Sequence, residues 1–187
     1  MGARTTGALL AAVLVLAAGC ASLPEARVAA VDSLAPTRAV PAPDATTPPA
    51  EAPALREIDL EARVLALANV LRETVGAPVL TERADLVAVA RGHARDMAER
   101  AYFSHTSPEG DGPGERAAHI RFRAFGEILA RVRYAKDPGK LAIRGWLESP
   151  PHRRVLLDER GVDYRFTGVG AAIAKDGTIY IAQVYLK

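Results

Sequence analysis

The chain has almost nothing with which to cross-link itself. Cys20 is the only cysteine in 187 residues, so no intrachain disulfide can form and the folded part must be held by its core. Charge of one sign is also lacking. Lys and Arg number 24 against 22 Asp and Glu, a formal net charge of +2. That balance, with acids and bases interspersed, provides no basic stripe and excludes a nucleic-acid-binding reading. No apolar run reaches the ~20 residues of a transmembrane helix. There are no internal repeats, and no compact metal motif such as H-E-x-x-H. What remains, 49% hydrophobic and 25% charged residues, suits a soluble globular domain.

The N-terminus reads as an export signal. Arg4 precedes an apolar stretch from Gly7 to Cys20, "GALLAAVLVLAAGC", which has the length of a signal-peptide h-region. The stretch ends in Ala17-Ala18-Gly19-Cys20, small residues before a cysteine, and resembles a bacterial lipobox. The expectation is a lipoprotein signal peptide over residues 1–19 and lipidation of Cys20, with more than one acyl chain needed for stable anchoring. The chain would then be exported and membrane-anchored. It would sit at the outer membrane or in the periplasm of a Gram-negative cell, and otherwise on the outer face of the cell membrane.

Residues 20–56 read as a tether. Seven of the thirteen prolines fall there, among Ala, Thr and a few charges. Such a segment buries too little apolar surface to offset its ordering entropy, and proline keeps it extended. Residues 57–187 read as one domain with a single core. Leu60, Val64, Leu67, Leu71 and Val75 recur at helical spacing, with Asp59 as a cap and Gly76 as a stop. Thr81 is expected to open a second helix, lined by Leu86, Ala90, Ala94, Met97 and Ala101. A short helical piece is expected over 115–122, and a further helix over 138–147 with Pro138 in its first turn. "YRFTGVGAAIA" and "TIYIAQVYL" read as strands joined by Lys175-Asp176-Gly177, a hairpin signal. Helices followed by a terminal hairpin give an α+β class.

Several short pieces then occur in a particular order: Ala90, His93, Asp96 and Met97; Phe103-Ser104-His105; Gly126-Glu127; Trp146 with Ser149-Pro150-Pro151-His152-Arg153; and Gly168-Val169-Gly170. This series resembles the bacterial branch of the CAP superfamily (cysteine-rich secretory proteins, antigen 5 and pathogenesis-related proteins), whose module is also called the SCP domain. The resemblance implies an α-β-α sandwich around a central antiparallel sheet, with further strands near Val79-Leu80 and over 127–134. It implies a cleft lined by His105, Glu127, Ser149 and His152, in which His105, His152 and Glu127 are the candidate ligands of a divalent metal such as zinc. Two imidazoles and a carboxylate suit zinc with one open position, although their sequence spacing does not itself point to a metal.

Each candidate also has a bland reading. His105 would serve as a helix-end or loop hydrogen-bonding group, Glu127 as a solvated or capping acid, and His93, His119 and Trp146 as structural residues. The chain departs from the family pattern at four positions. Ser149 stands where animal and plant members have a glutamate, with Glu148 one residue early. Ile128 and Val155 replace common asparagines, and Pro151 replaces a common glycine. The two apolar replacements are expected to leave the fold intact and to loosen or dry the cleft. These features favour a non-catalytic envelope module binding a lipid, glycan or protein ligand. The alternatives are a zinc-dependent, peptidase-like hydrolase, a serine hydrolase using Ser149, His152 and Glu127, and a structural envelope protein with a vestigial cleft.

Overall fold

The computed structural model describes residues 56–133 and 135–187; the expected signal peptide, Cys20 and nearly all of the tether lie outside the described residues, as does Tyr134. Helix α1 spans Glu57–Thr74 and buries Leu60, Val64, Leu67 and Leu71. Gly76 stops it by turning to φ 71, a conformation that glycine adopts without penalty. Asp59 does not cap this helix. It lies inside the first turn and binds the Arg56 guanidinium.

Thr81 does not open a helix either. Thr81–Glu82 is a two-residue strand, β1, and helix α2 starts later, at Ala84–Arg100. Helical spacing correctly marks the buried Leu86, Ala90, Ala94 and Met97. Ala101 is exposed and ends the helix in the left-handed region at φ 55. The helical piece placed over 115–122 is one turn and earlier, α3 over Pro113–Arg116. Strand β2 follows over Phe125–Val132. Helix α4 spans Pro138–Glu148, with the Asp137 side chain accepting from the Lys140 N–H as its cap. A separate helix, α5, spans Pro150–Leu156 and starts with both prolines in its first turn, where their missing N–H groups are not needed. Strands β3, Phe166–Ile173, and β4, Ile179–Leu186, form the terminal hairpin, with Gly177 at φ 78 in its turn.

The sheet order is β1-β3-β4-β2. The three long strands are antiparallel, and β1 joins β3 in parallel over its two residues. Strand alternation sends Ile128, Val169, Ala171, Ile181 and Tyr185 to one face, where α1, α4 and α5 supply Leu67, Trp146 and Leu156. Leu129, Ala172, Ala182 and Val184 go to the other face, against α2. The molecule is thus an α-β-α sandwich. Trp146, 2% exposed, donates its indole N–H to the Leu129 carbonyl at 2.8 Å, so α4 is both packed and hydrogen-bonded to β2.

Helix α2 rests on β3 through two glycines. A Cβ on Gly168 would lie 2.1 Å from the Leu86 carbonyl carbon, and one on Gly170 would lie 2.2 Å from that of Ala90. Backbone on both sides leaves no flexible atom to move aside. The open edge of β3 beyond β1 is closed by α1. Glu61 accepts from the Ala171 N–H and Glu57 from the Ile173 N–H, each at 3.0 Å, which removes a template for edge pairing.

Gly170→Ala is expected to lower stability by about 1–3 kcal/mol or more, the range for overpacking. Gly92→Ala on the exposed face of α2, where a Cβ meets nothing within 4 Å, is expected to raise it by about 0.5–1 kcal/mol. Urea midpoints of the two variants check both signs. Equal behaviour would remove the close approach as the reason for glycine at position 170.

Candidate functional site

Glu127 lies on β2 and points to the α2 side of the sheet, opposite to Ile128. The preceding glycine permits the packing around it, because a Cβ on Gly126 would lie 2.9 Å from the Tyr164 hydroxyl and 3.3 Å from Val155 Cγ1. The Glu127 side chain is 1% exposed, and a carboxylate so buried needs partners. Arg116, at the end of α3, supplies the main one. Its Nη2 donates to both carboxylate oxygens, at 3.0 and 2.8 Å. His105 Nδ1 donates to Glu127 Oε1 at 2.8 Å, so the carboxylate accepts from two side chains.

The loop that carries His105 is folded back by α2. Ala101 reverses the chain, and Tyr102 packs edge-on against His93 with centroids 6.2 Å apart. The Tyr102 hydroxyl donates to Asp96 Oδ2; burial, then that bond, pushes it up to about 12. Arg116 Nη1 fastens the loop by donating to the carbonyls of His105 and Asp111 at 3.0 and 2.9 Å. One guanidinium therefore binds the carboxylate and the loop that presents the imidazole.

His93 forms the floor. It is 1% exposed, and its Nε2 lies 4.0 Å from Glu127 Oε1. That nitrogen is 2.9 Å from the Ser104 carbonyl, which can only accept, so Nε2 carries the proton. Nδ1 is buried without a partner. The structural reading of His93 fits this packing, and the residue also touches the site from below.

His152 lies in the first half of α5. Its Nδ1 is 2.8 Å from Ser149 Oγ, three residues back in the same turn. Burial and then the charge of His105 push the His152 imidazole below its ordinary value. The structure thus joins His105 to Glu127 directly and His152 to Ser149 directly. It does not assemble a Ser149-His152-Glu127 triad, because the Glu127 carboxylate is bonded to Arg116 and His105. Glu148 is exposed. Ile128 is fully buried in the α1/α4 core, and Val155 packs against that same core. These apolar replacements therefore fill the layer beneath the cleft, and Ile128 does not dry its lining.

The fit to zinc is poor as the side chains stand. Among the described residues, no three His, Cys, Asp or Glu side chains are grouped to hold an ion. The carboxylate that would serve as ligand already carries a guanidinium cation. Arg116 is the residue at this cleft that the sequence did not reveal. It follows a Gly- and Pro-rich loop and belongs to no spacing pattern.

A pH dependence follows from the two histidines. Burial, the largest cause, holds His93 below its ordinary value despite the opposing pull of Glu127, and His152 is lowered as well. The unfolded chain therefore takes up protons first as pH falls below about 6.5. The stabilisation is complete above that value and declines as pH drops from there toward the folded-state values. His93→Gln, which keeps a donor for the Ser104 carbonyl, is expected to flatten the fall in urea midpoint between about pH 7 and 5. An unchanged slope would remove His93 as a source of it.

Comparison with known proteins agrees with this architecture. The cysteine-rich secretory protein family, CAP, matches residues 65–185. The Bacillus subtilis membrane protein YlbC is 38% identical over 112 residues, 59% of this chain and 31% of that protein. YkwD of the same organism is 28% identical over 125 residues, covering 66% of this chain and 46% of its own length. The chain thus spans less than half the length of these curated relatives. Among solved structures, an extracellular SCP-domain protein of Bacillus anthracis is 31% identical with a TM-score of 0.59, over 70% of this chain and 41% of that one. An outer surface protein of Borrelia burgdorferi shares the fold at 21% identity and a TM-score of 0.61, over 69% and 92% of the two chains. With the family match covering well over half its length, and with its sandwich built around the same ordered motifs, this chain belongs to the CAP family.

Proposed function

We propose that the chain is a membrane-tethered lipoprotein of the bacterial cell envelope whose CAP domain binds a glycan without turning it over. The observation that carries this reading is the state of Glu127. Its carboxylate accepts three hydrogen bonds from Arg116 and His105 and is 1% exposed, so it shapes the cleft while leaving almost no surface for a water or a substrate to reach. A general base must be within reach of the proton it abstracts, and this one is enclosed.

The groups that do face outward are polar. His105 has a half-exposed ring, and His152 and Ser149 are partly exposed. Rings and hydroxyls of this kind suit the hydroxyl groups of a sugar chain better than an acyl tail, which would need an apolar channel. Envelope placement is supported by the lipobox-like segment ending at Cys20 and by the relatives named as extracellular, membrane or outer surface proteins.

Full-length protein is expected to sediment saturably with purified peptidoglycan sacculi and to release no sugar or peptide. His105→Ala combined with His152→Ala is expected to weaken retention by about ten-fold, roughly 1.4 kcal/mol, in a protein that circular dichroism shows to be folded. Unchanged retention would favour the vestigial cleft, and turnover lost with chelator and restored by zinc would favour the hydrolase. Labelled palmitate is expected to be incorporated into the wild-type chain and not into Cys20→Ser. Equal incorporation would remove lipidation of Cys20 as the tether.

A further inference from the structure

We infer that Arg116 stands in for the divalent cation at this cleft, so that the domain binds no zinc there as built and gains a zinc site when that one guanidinium is neutralised. The inference concerns the same cleft but does not depend on the glycan reading, since either can fail alone.

The argument starts from charge. Glu127 is buried, and a buried carboxylate is stable only when compensated. A bound cation would compensate it, and so does Arg116, whose Nη2 lies within 3.0 Å of both oxygens. Both cannot occupy the same carboxylate at full strength. A guanidinium does not lose its proton near neutral pH, so its charge is permanent, and a divalent ion arriving at Glu127 would meet it at close range.

Arg116 is also held in place independently of the carboxylate. Its Nη1 is fixed by two loop carbonyls, its side chain is 15% exposed, and its Nε is buried with no partner. The imidazole beside the carboxylate remains a metal-type donor, since His105 uses only Nδ1 on Glu127. The carboxylate itself is not free, and Arg116 is the reason.

The test is calorimetric titration of zinc chloride into the full-length protein in detergent at near-neutral pH, with Arg116→Met and Arg116→Lys beside it. Wild type and Arg116→Lys, which keeps the charge, are expected to show no saturable binding that depends on His105. Arg116→Met is expected to take up one zinc per chain at least about ten-fold more tightly than wild type, because removing a fixed positive charge favours a cation. Adding His105→Ala to Arg116→Met is expected to abolish the gain. Circular dichroism establishes that the variants are folded. If Arg116→Met does not fold, Arg116→Gln, which is neutral and can still donate to the loop carbonyls, replaces it. Zinc binding by the wild type that is lost on His105→Ala would overturn the inference. A folded neutral variant that binds no more tightly than wild type would overturn it equally. Neither result would alter the retention on sacculi by which the glycan reading is judged.

Discussion

Two missing methyl groups set the geometry of this domain. Because positions 168 and 170 carry only hydrogen, α2 settles onto β3 with backbone nearly against backbone. Small residues on the helix, Ala90 and Ala94, complete the contact. A helix held this closely cannot slide or roll by a side chain's width, which fixes where its C-terminal half emerges. That half carries His93, Asp96 and Met97 toward β2 and the turn at Ala101. The approach of His93 Nε2 to within 4.0 Å of Glu127 is therefore a consequence of glycines in a different strand.

The two carboxylates that matter most are treated alike. Glu61, 4% exposed, lies against the open edge of β3. It accepts a backbone N–H and the Nε and Nη2 of Arg91. Glu127, on the strand at the opposite side of the sheet, accepts an imidazole and the Nη2 of Arg116, which reaches both of its oxygens. Arg91 brings a planar pair of donors to its carboxylate, whereas Arg116 divides its nitrogens between the carboxylate and two loop carbonyls. Lysine would place its charge but not this geometry. A third arginine, Arg72, is fully buried and spends its donors on the carbonyls of Pro78, Leu156 and Tyr164, with Asp158 at 4.0 Å. It ties the end of α1 to the end of α5 and to the approach to β3. A chain with no disulfide is thus cross-connected by guanidinium groups as well as by its core.

The hydrophobic faces of α1 and α2 and the terminal hairpin were legible because helical spacing, strand alternation and an Asp-Gly turn are local signals. The misplaced starts were also local matters. Thr81 is a sound capping residue in isolation, but its backbone is taken by parallel pairing with Phe166, a partner 85 residues away that no local pattern can reveal. Residues 115–122 have helix-forming composition, yet only one turn forms there before the chain leaves for β2. For the site, the series of motifs named His105, Glu127, Ser149 and His152 together, and the structure bonds them as two pairs. Arg116 was not legible. Sequence can say that a buried carboxylate will need a cation, but in a chain rich in arginine it cannot say which one the fold delivers.

The manner in which the two histidines are held bears on what the cleft can do. His152 is on a helix whose first two residues are prolines, so the backbone direction of its turn is fixed before any ligand arrives. His105 is on a loop, but that loop is fastened through its own carbonyl to Arg116 and through its ring to Glu127. Both imidazoles are therefore presented with little conformational entropy left to lose, which favours binding. Catalysis asks for something different. It needs a base that is poised but uncommitted, and in this cleft the carboxylate is engaged with Arg116 and His105. The same bonds that make the site rigid also engage the Glu127 carboxylate, so order and reactivity pull against one another at this one residue.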